Sequence, residues 1–172
     1  MIEFARVFFN IALLRQGPQD LPASTLLFIL VMALETLWVL LMVLGFGLDP
    51  VRAFDRYGVA AVLDLTLPTA VLSIAGRLDR FLQVVTATAG AGLVIAPLEI
   101  ALFAIARFSG PLSTPPDWAQ LVEYAIIGWG VVIQAHVYRC ALERIFLLCL
   151  ILACACEIMI LTSVNSLFPL TS

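Results

Sequence analysis

Apolar positions along this chain do not alternate with polar ones; they run in five long blocks, at 24–44, 57–76, 81–106, 118–138 and 145–164. A helix needs about 20 apolar residues to cross a hydrocarbon layer about 30 Å thick, and each block meets that length. In lipid a backbone must satisfy its own hydrogen bonds, so each block is predicted to be an α-helix. The expected fold is an all-α polytopic membrane helix bundle of about five transmembrane helices, a single membrane domain over 1–172.

The breaks between blocks are chemically distinct. Gly45, Gly47 and Asp49-Pro50 close the first span, and Arg77-Leu78-Asp79-Arg80 is a tight charged turn after the second. The loop 109–116 holds three of the chain's nine prolines and is not expected to be helical. Asp117 with Gln120 has capping-box spacing at the start of the fourth span, and Trp118 suits the lipid–water boundary. Arg139, Glu143 and Arg144 form the last turn, and Pro169 follows the fifth span.

Residues 1–16 behave differently. They are apolar except for a narrow polar stripe of Glu3, Arg6 and Asn10, too short and too charged to span. Glu3 in the would-be basic region and the lack of a small-residue cleavage site argue against a signal peptide. An interfacial amphipathic helix is predicted, ended by Gly17-Pro18.

Composition sharpens this picture. The chain is 63% hydrophobic and 12% charged, where a soluble domain carries about 25% charged residues, so lipid must be the solvent for most of it. The net charge of −3 excludes a broad basic surface for nucleic acid. All nine basic residues are arginine, and the arginine, alanine and leucine bias points to a bacterial source. With five crossings, Arg6, Arg15, Arg77, Arg80, Arg139 and Arg144 share one side, against Arg52, Arg56 and Arg107 on the other. The positive-inside rule then expects a multi-pass protein of the bacterial inner membrane, with the N-terminus cytoplasmic and the C-terminus periplasmic.

One carboxylate falls inside each block: Glu35, Asp64, Glu99, Glu123 and Glu157. An ionisable group at a helix centre costs about 2.5–3.5 kcal/mol even on the mild insertion scale, so most of the five must face protein or water. Asp64, Glu99 and Glu123 are expected to converge in the outer half of the bundle, with Glu157 just below and Glu35 near the midplane. Packed carboxylates need protons, a cation or an arginine beside them. Arg107 is the nearest candidate by depth, and Gln134 shares a helix face with Glu123. The site is read as a shared proton or cation site, or as separate interhelical bonds.

Other features are blander. Thr86 to Gly92 contains no large side chain, so Gly90 and Gly92 are expected at close helix contacts. Pro68 and Pro97 free the carbonyls of Asp64 and Leu93. Cys140, Cys149, Cys154 and Cys156 read as small apolar residues, with Cys154 and Cys156 about 200° apart around the helix. His136 stands alone and is expected to be structural. No metal site or cofactor is expected, and no nucleotide loop, nucleophile elbow or zinc-protease motif marks an enzyme.

The arrangement resembles the bacterial members of the Yip1-like family of five-span membrane proteins. The resemblance rests on the amphipathic N-terminal segment, the five spans, and Asp20-Leu21-Pro22 before the first span, loosely like that family's Asp-Leu…Pro motif without its Tyr-Gly. The stretch Gly128 to Leu142 is similar to uncharacterised small proteobacterial membrane proteins. It implies topology and no functional residue. The expected function is a non-enzymatic scaffold or accessory subunit of a membrane complex, meeting the lipid bilayer and other subunits or its own copies through helix faces. The alternative is a small proton or cation permease or channel that uses the buried acids.

Overall fold

Helices begin where the apolar blocks begin, and local chemistry sets the starts. The computed structural model describes residues 2–109 and 116–169, with the side chains of Ile2 and 107–109 left aside. Its helices are α1 (Ile2–Ala12), α2 (Thr25–Phe46), α3 (Pro50–Ile74), α4 (Phe81–Ser109), α5 (Asp117–Leu142) and α6 (Phe146–Leu167). Two single 3₁₀ turns, Pro18–Asp20 and Leu78–Arg80, complete the regular structure of the described residues. The fold is an all-α helical bundle.

Ser24 caps α2 by accepting from the Leu27 amide at 3.3 Å, and Asp49 caps α3 by accepting from Val51 at 2.9 Å. Pro50 then occupies the first turn of α3, where its missing N–H costs nothing. Residues 50–56, ahead of the second apolar block, are therefore the first turns of α3. Gly47 ends α2 at φ 65°, the left-handed conformation that glycine adopts without penalty. The expected cap at Asp117 is corrected: Pro116, in extended backbone, takes the cap position, and Asp117 is the first helical residue of α5. There its charge still meets the positive end of the helix. Of the expected loop 109–116, Ser109 is the last residue of α4, Pro116 caps α5, and 110–115 lie outside the described residues.

The five long helices close into a ring in the order α2, α3, α6, α5, α4, with α3 and α4 also touching across it. The tightest seam is α5 against α6. There Tyr138, Ala135 and Ala141 meet Cys149, Ala153 and Cys156, all buried. Small side chains let the two backbones approach, which is what drives association where lipid is as apolar as leucine. The Tyr138 hydroxyl finds Gln134 Nε2 at 3.4 Å and Cys156 Sγ at 3.9 Å, so its polar end is not stranded. Cys156 is buried and Cys154 exposed, on opposite faces of α6.

α1 is the short amphipathic helix expected before the spans, and it is docked on the bundle. It packs on α4 and α5, burying Phe8, Ile11 and Ala12 while Glu3, Arg6 and Phe9 stay exposed. The Trp129 indole donates to the Ala12 carbonyl at 3.2 Å, and His136 Nε2 lies 3.0 Å from the Gln16 carbonyl. Trp129 and His136 are two turns apart on α5, so residues 12–16 run along that helix. Gly90 provides the seat for α1 on α4. A Cβ there would strike the Phe8 ring, so only glycine leaves the groove on α4 that seats it.

Both ends of the bundle are tied by arginine. At one end Arg77 and Arg80 pair with Glu143 at 3.0 and 2.9 Å, and Arg80 also donates to the carbonyls of Cys140 and Ala141 at the α5 terminus. At the other, Arg56 of α3 donates to Asn165 Oδ1 at 3.0 Å and to the Phe168 carbonyl beyond α6.

Candidate functional site: an acidic cavity between the helices

α3 lies between α2 and α6 in the ring and also touches α4. Between them lies a cavity of about 460 Å³, lined by four of the helices. Glu35 of α2, Asp64 of α3, Glu99 of α4 and Glu157 of α6 all line it. Heights along the bundle follow from the helix bounds. Glu35 is ten residues past Thr25, Asp64 ten before Ile74 and Glu157 eleven past Phe146, all counted from the end that carries Arg80. At 1.5 Å per residue that is roughly 15–17 Å, near the middle of a hydrocarbon core. Glu99, eighteen residues past Phe81, sits about two turns higher.

The expected grouping is therefore corrected in two respects. Asp64 belongs to the midplane tier with Glu35 and Glu157, because α3 ends at Ile74 and counting from that end brings it down. Both lie within electrostatic range of it. Glu123 does not line the cavity and is exposed, although it is within electrostatic range of Glu99. α5 packs chiefly on α6 and α4, so it presents Glu123 away from the space between α2 and α3. Gln134 is also elsewhere, buried beside Tyr138 in the α5–α6 seam. The Arg107 side chain lies outside the described residues.

The cavity acids are not sealed in. Glu35, Glu99 and Glu157 are half-buried and Asp64 is exposed into open space. Among the described residues none gives any of the four a hydrogen bond or an ion pair within bonding distance, so water, protons or a bound cation must satisfy them. Nor do any three His, Cys, Asp or Glu side chains among the described residues come close enough together to hold a metal ion. The carboxylates come from four helices, and Trp38 and Tyr57 line the same cavity. The Tyr57 hydroxyl is 3.3 Å from Thr36 Oγ1, which in turn donates to the Met32 carbonyl at 2.9 Å. Gly92, expected at a helix contact, instead forms part of the cavity wall, where a Cβ would lie 3.8 Å from Glu35 Oε1.

Sequence reasoning passed over Trp38 and Tyr57, since an aromatic residue in an apolar block carries no mark of its own. It also passed over the contact of Cys140 Sγ with His136 Nε2 at 3.8 Å. That pair is not a nucleophile and its base. Nε2 also meets the Gln16 carbonyl, which only accepts, so that nitrogen carries the proton and has no lone pair for the thiol. Outside the spans, Glu143 is held below the ordinary carboxylate range, first by its hydrogen bond and charge pairing with Arg77 and then by Arg80.

Five helices long and apolar enough to cross a membrane define a multi-pass membrane protein whose outer faces meet the lipid bilayer. No protein-family model, no curated protein and no solved structure matches the chain.

Proposed function

We propose that this protein is a small membrane permease or channel that takes up a proton or other cation in the midplane cavity and passes it across the bilayer. One observation carries the reading: acids from four different helices line one open cavity, without hydrogen-bond or ion-pair partners among the described residues. A carboxylate kept only to bond two helices would meet a donor on its neighbour, as Glu143 does outside the spans. Intramembrane acids that face a water-accessible space mark ion pathways by default. Placement in a bacterial inner membrane, N-terminus in the cytoplasm, is supported by the arginine asymmetry and by the resemblance to bacterial Yip1-like proteins. The function is non-enzymatic.

Purified protein in sealed liposomes tests this. Wild type should collapse an imposed gradient of protons or of a permeant cation, and Asp64→Asn should slow that flux at least tenfold while eluting as the same species. Equal flux through both proteins would remove Asp64 from any pathway.

The scaffold or accessory-subunit reading is favoured by a different residue. Glu123 is exposed outside the cavity among Leu121, Val122 and Tyr124, a polar group on an outward face that a partner helix would satisfy. Co-purification of a fixed companion that is lost in Glu123→Leu supports that reading.

A further inference from the structure

We infer that the cavity between α2, α3 and α4 binds an organic cation: a small ammonium compound with a hydrocarbon body. The inference rests on the cation reading above and deepens it, because the shape and lining of the space select among cations. Carboxylates by themselves attract any positive charge. Three further features narrow the choice.

The first is size. About 460 Å³ is within the range of small-molecule sites, about 300–1,000 Å³, and far above the roughly 30 Å³ that one water occupies in the liquid. The second is the apolar part of the lining. Met32, Val39, Leu65 and Leu93 offer hydrocarbon, which an organic body wets favourably and a hydrated metal ion does not. The third is the pair of aromatic rings. Trp38 of α2 and Tyr57 of α3 both line the cavity, and Tyr57 is steadied by Thr36. Aromatic faces attract ammonium groups, most strongly once these are desolvated, and they recognise quaternary ammonium where a small hard ion would keep its water. The distribution of the acids agrees. Among the described residues no three ligand side chains gather around a point, so the site is not built to strip and cage a metal ion. The acids instead share the lining with apolar side chains, with the midplane acids and Glu99 at different heights.

The probe is benzyltrimethylammonium, which joins a quaternary ammonium to an apolar ring. Binding is followed by calorimetry with the full chain in nanodiscs of phosphatidylcholine, which carries no net charge to attract it. Wild type should bind saturably, and sodium or magnesium at equal concentration should not displace the probe. Trp38→Ala should weaken binding about tenfold, consistent with loss of a desolvated cation–aromatic contact. Gly92→Leu, which extends a side chain into the cavity beside Glu35, should abolish it. Asp64→Asn should weaken it at least tenfold. Should Asp64→Asn not fold, Trp38→Ala and Gly92→Leu still decide the matter. Binding that ignores both of those changes places the probe elsewhere and overturns the inference. Asp64-dependent binding of sodium, magnesium or protons with none of the probe also overturns it, yet leaves the cation reading standing. Absence of any Asp64-dependent binding defeats both.

Discussion

Gly90 and Gly92 show how much a single residue's surroundings decide. They stand two apart on α4, about 200° around the helix, so they serve opposite faces. Gly90 receives the Phe8 ring and Gly92 looks toward Glu35. A leucine at 90 must displace that ring or the helix that carries it, and overpacking of this kind costs about 1–3 kcal/mol. Gly90→Leu should therefore lower the thermal unfolding temperature in detergent, while Gly92→Ala, with room for a methyl, should not. The damage from Gly90→Ala should be largely relieved by Phe8→Ala in the same chain, a coupling that a double-mutant cycle measures. Equal melting temperatures for Gly90→Leu and wild type would mean that α1 is not seated on α4. The small-residue run 86–92 was legible as a packing surface. That one of its glycines packs a ring and the other borders a cavity was not, since it depends on where α1 and α2 dock.

Among the elements, α1 and the turn before α5's neighbour α6 are the parts held by few, identifiable contacts. α1 is fastened by the Phe8 seat and by the bonds from Trp129 and His136. Trp129→Phe combined with His136→Ala should raise amide exchange across residues 2–16 and leave α5 and α6 protected. Uniform protection would show that apolar burial alone holds the helix. Glu143 ends α5 at φ 55°, a left-handed conformation that costs a non-glycine residue free energy, and its pairs with Arg77 and Arg80 hold the chain there. Because its carboxyl is depressed in the folded state, its contribution is present above the ordinary glutamate range and is lost as pH falls through the folded value. The stability advantage of wild type over Glu143→Gln should be level from about pH 6 to 8 and shrink below about pH 4.5. A constant difference down to pH 3 would mean that the pairs do not form. Because Glu143 is exposed, salt should reduce the effect.

At the scale of the whole molecule, five crossings put the turns 47–49 and 77–80 on opposite sides of the membrane. With the native cysteines replaced, Leu48→Cys should react with an impermeant maleimide in intact cells and Asp79→Cys should not. The reverse pattern would invert the orientation inferred from arginine, without altering the bundle. The ring order α2, α3, α6, α5, α4 also places α3 between α2 and α6, so a cavity beside α3 collects acids from helices far apart in sequence.

The blocks of apolar residues determined by themselves that the chain is an all-α bundle of spanning helices, and nearly where each helix lies. Those properties follow from chain length against bilayer thickness and from backbone hydrogen bonding in lipid, both of which are local along the sequence. The presence of one acid per span was equally plain. Which acids meet was decided only by tertiary structure. Glu35, Asp64, Glu99 and Glu157 share a cavity and Glu123 does not, because helix order around the ring and the end point of α3 set who faces whom. In these spans almost every face is apolar, so hydrophobic periodicity, which in a soluble helix separates inside from outside, cannot do so here. The facing of each acid was left to the close packing of Phe8 on Gly90 and of Tyr138 against α6, contacts between residues that no spacing in the sequence connects.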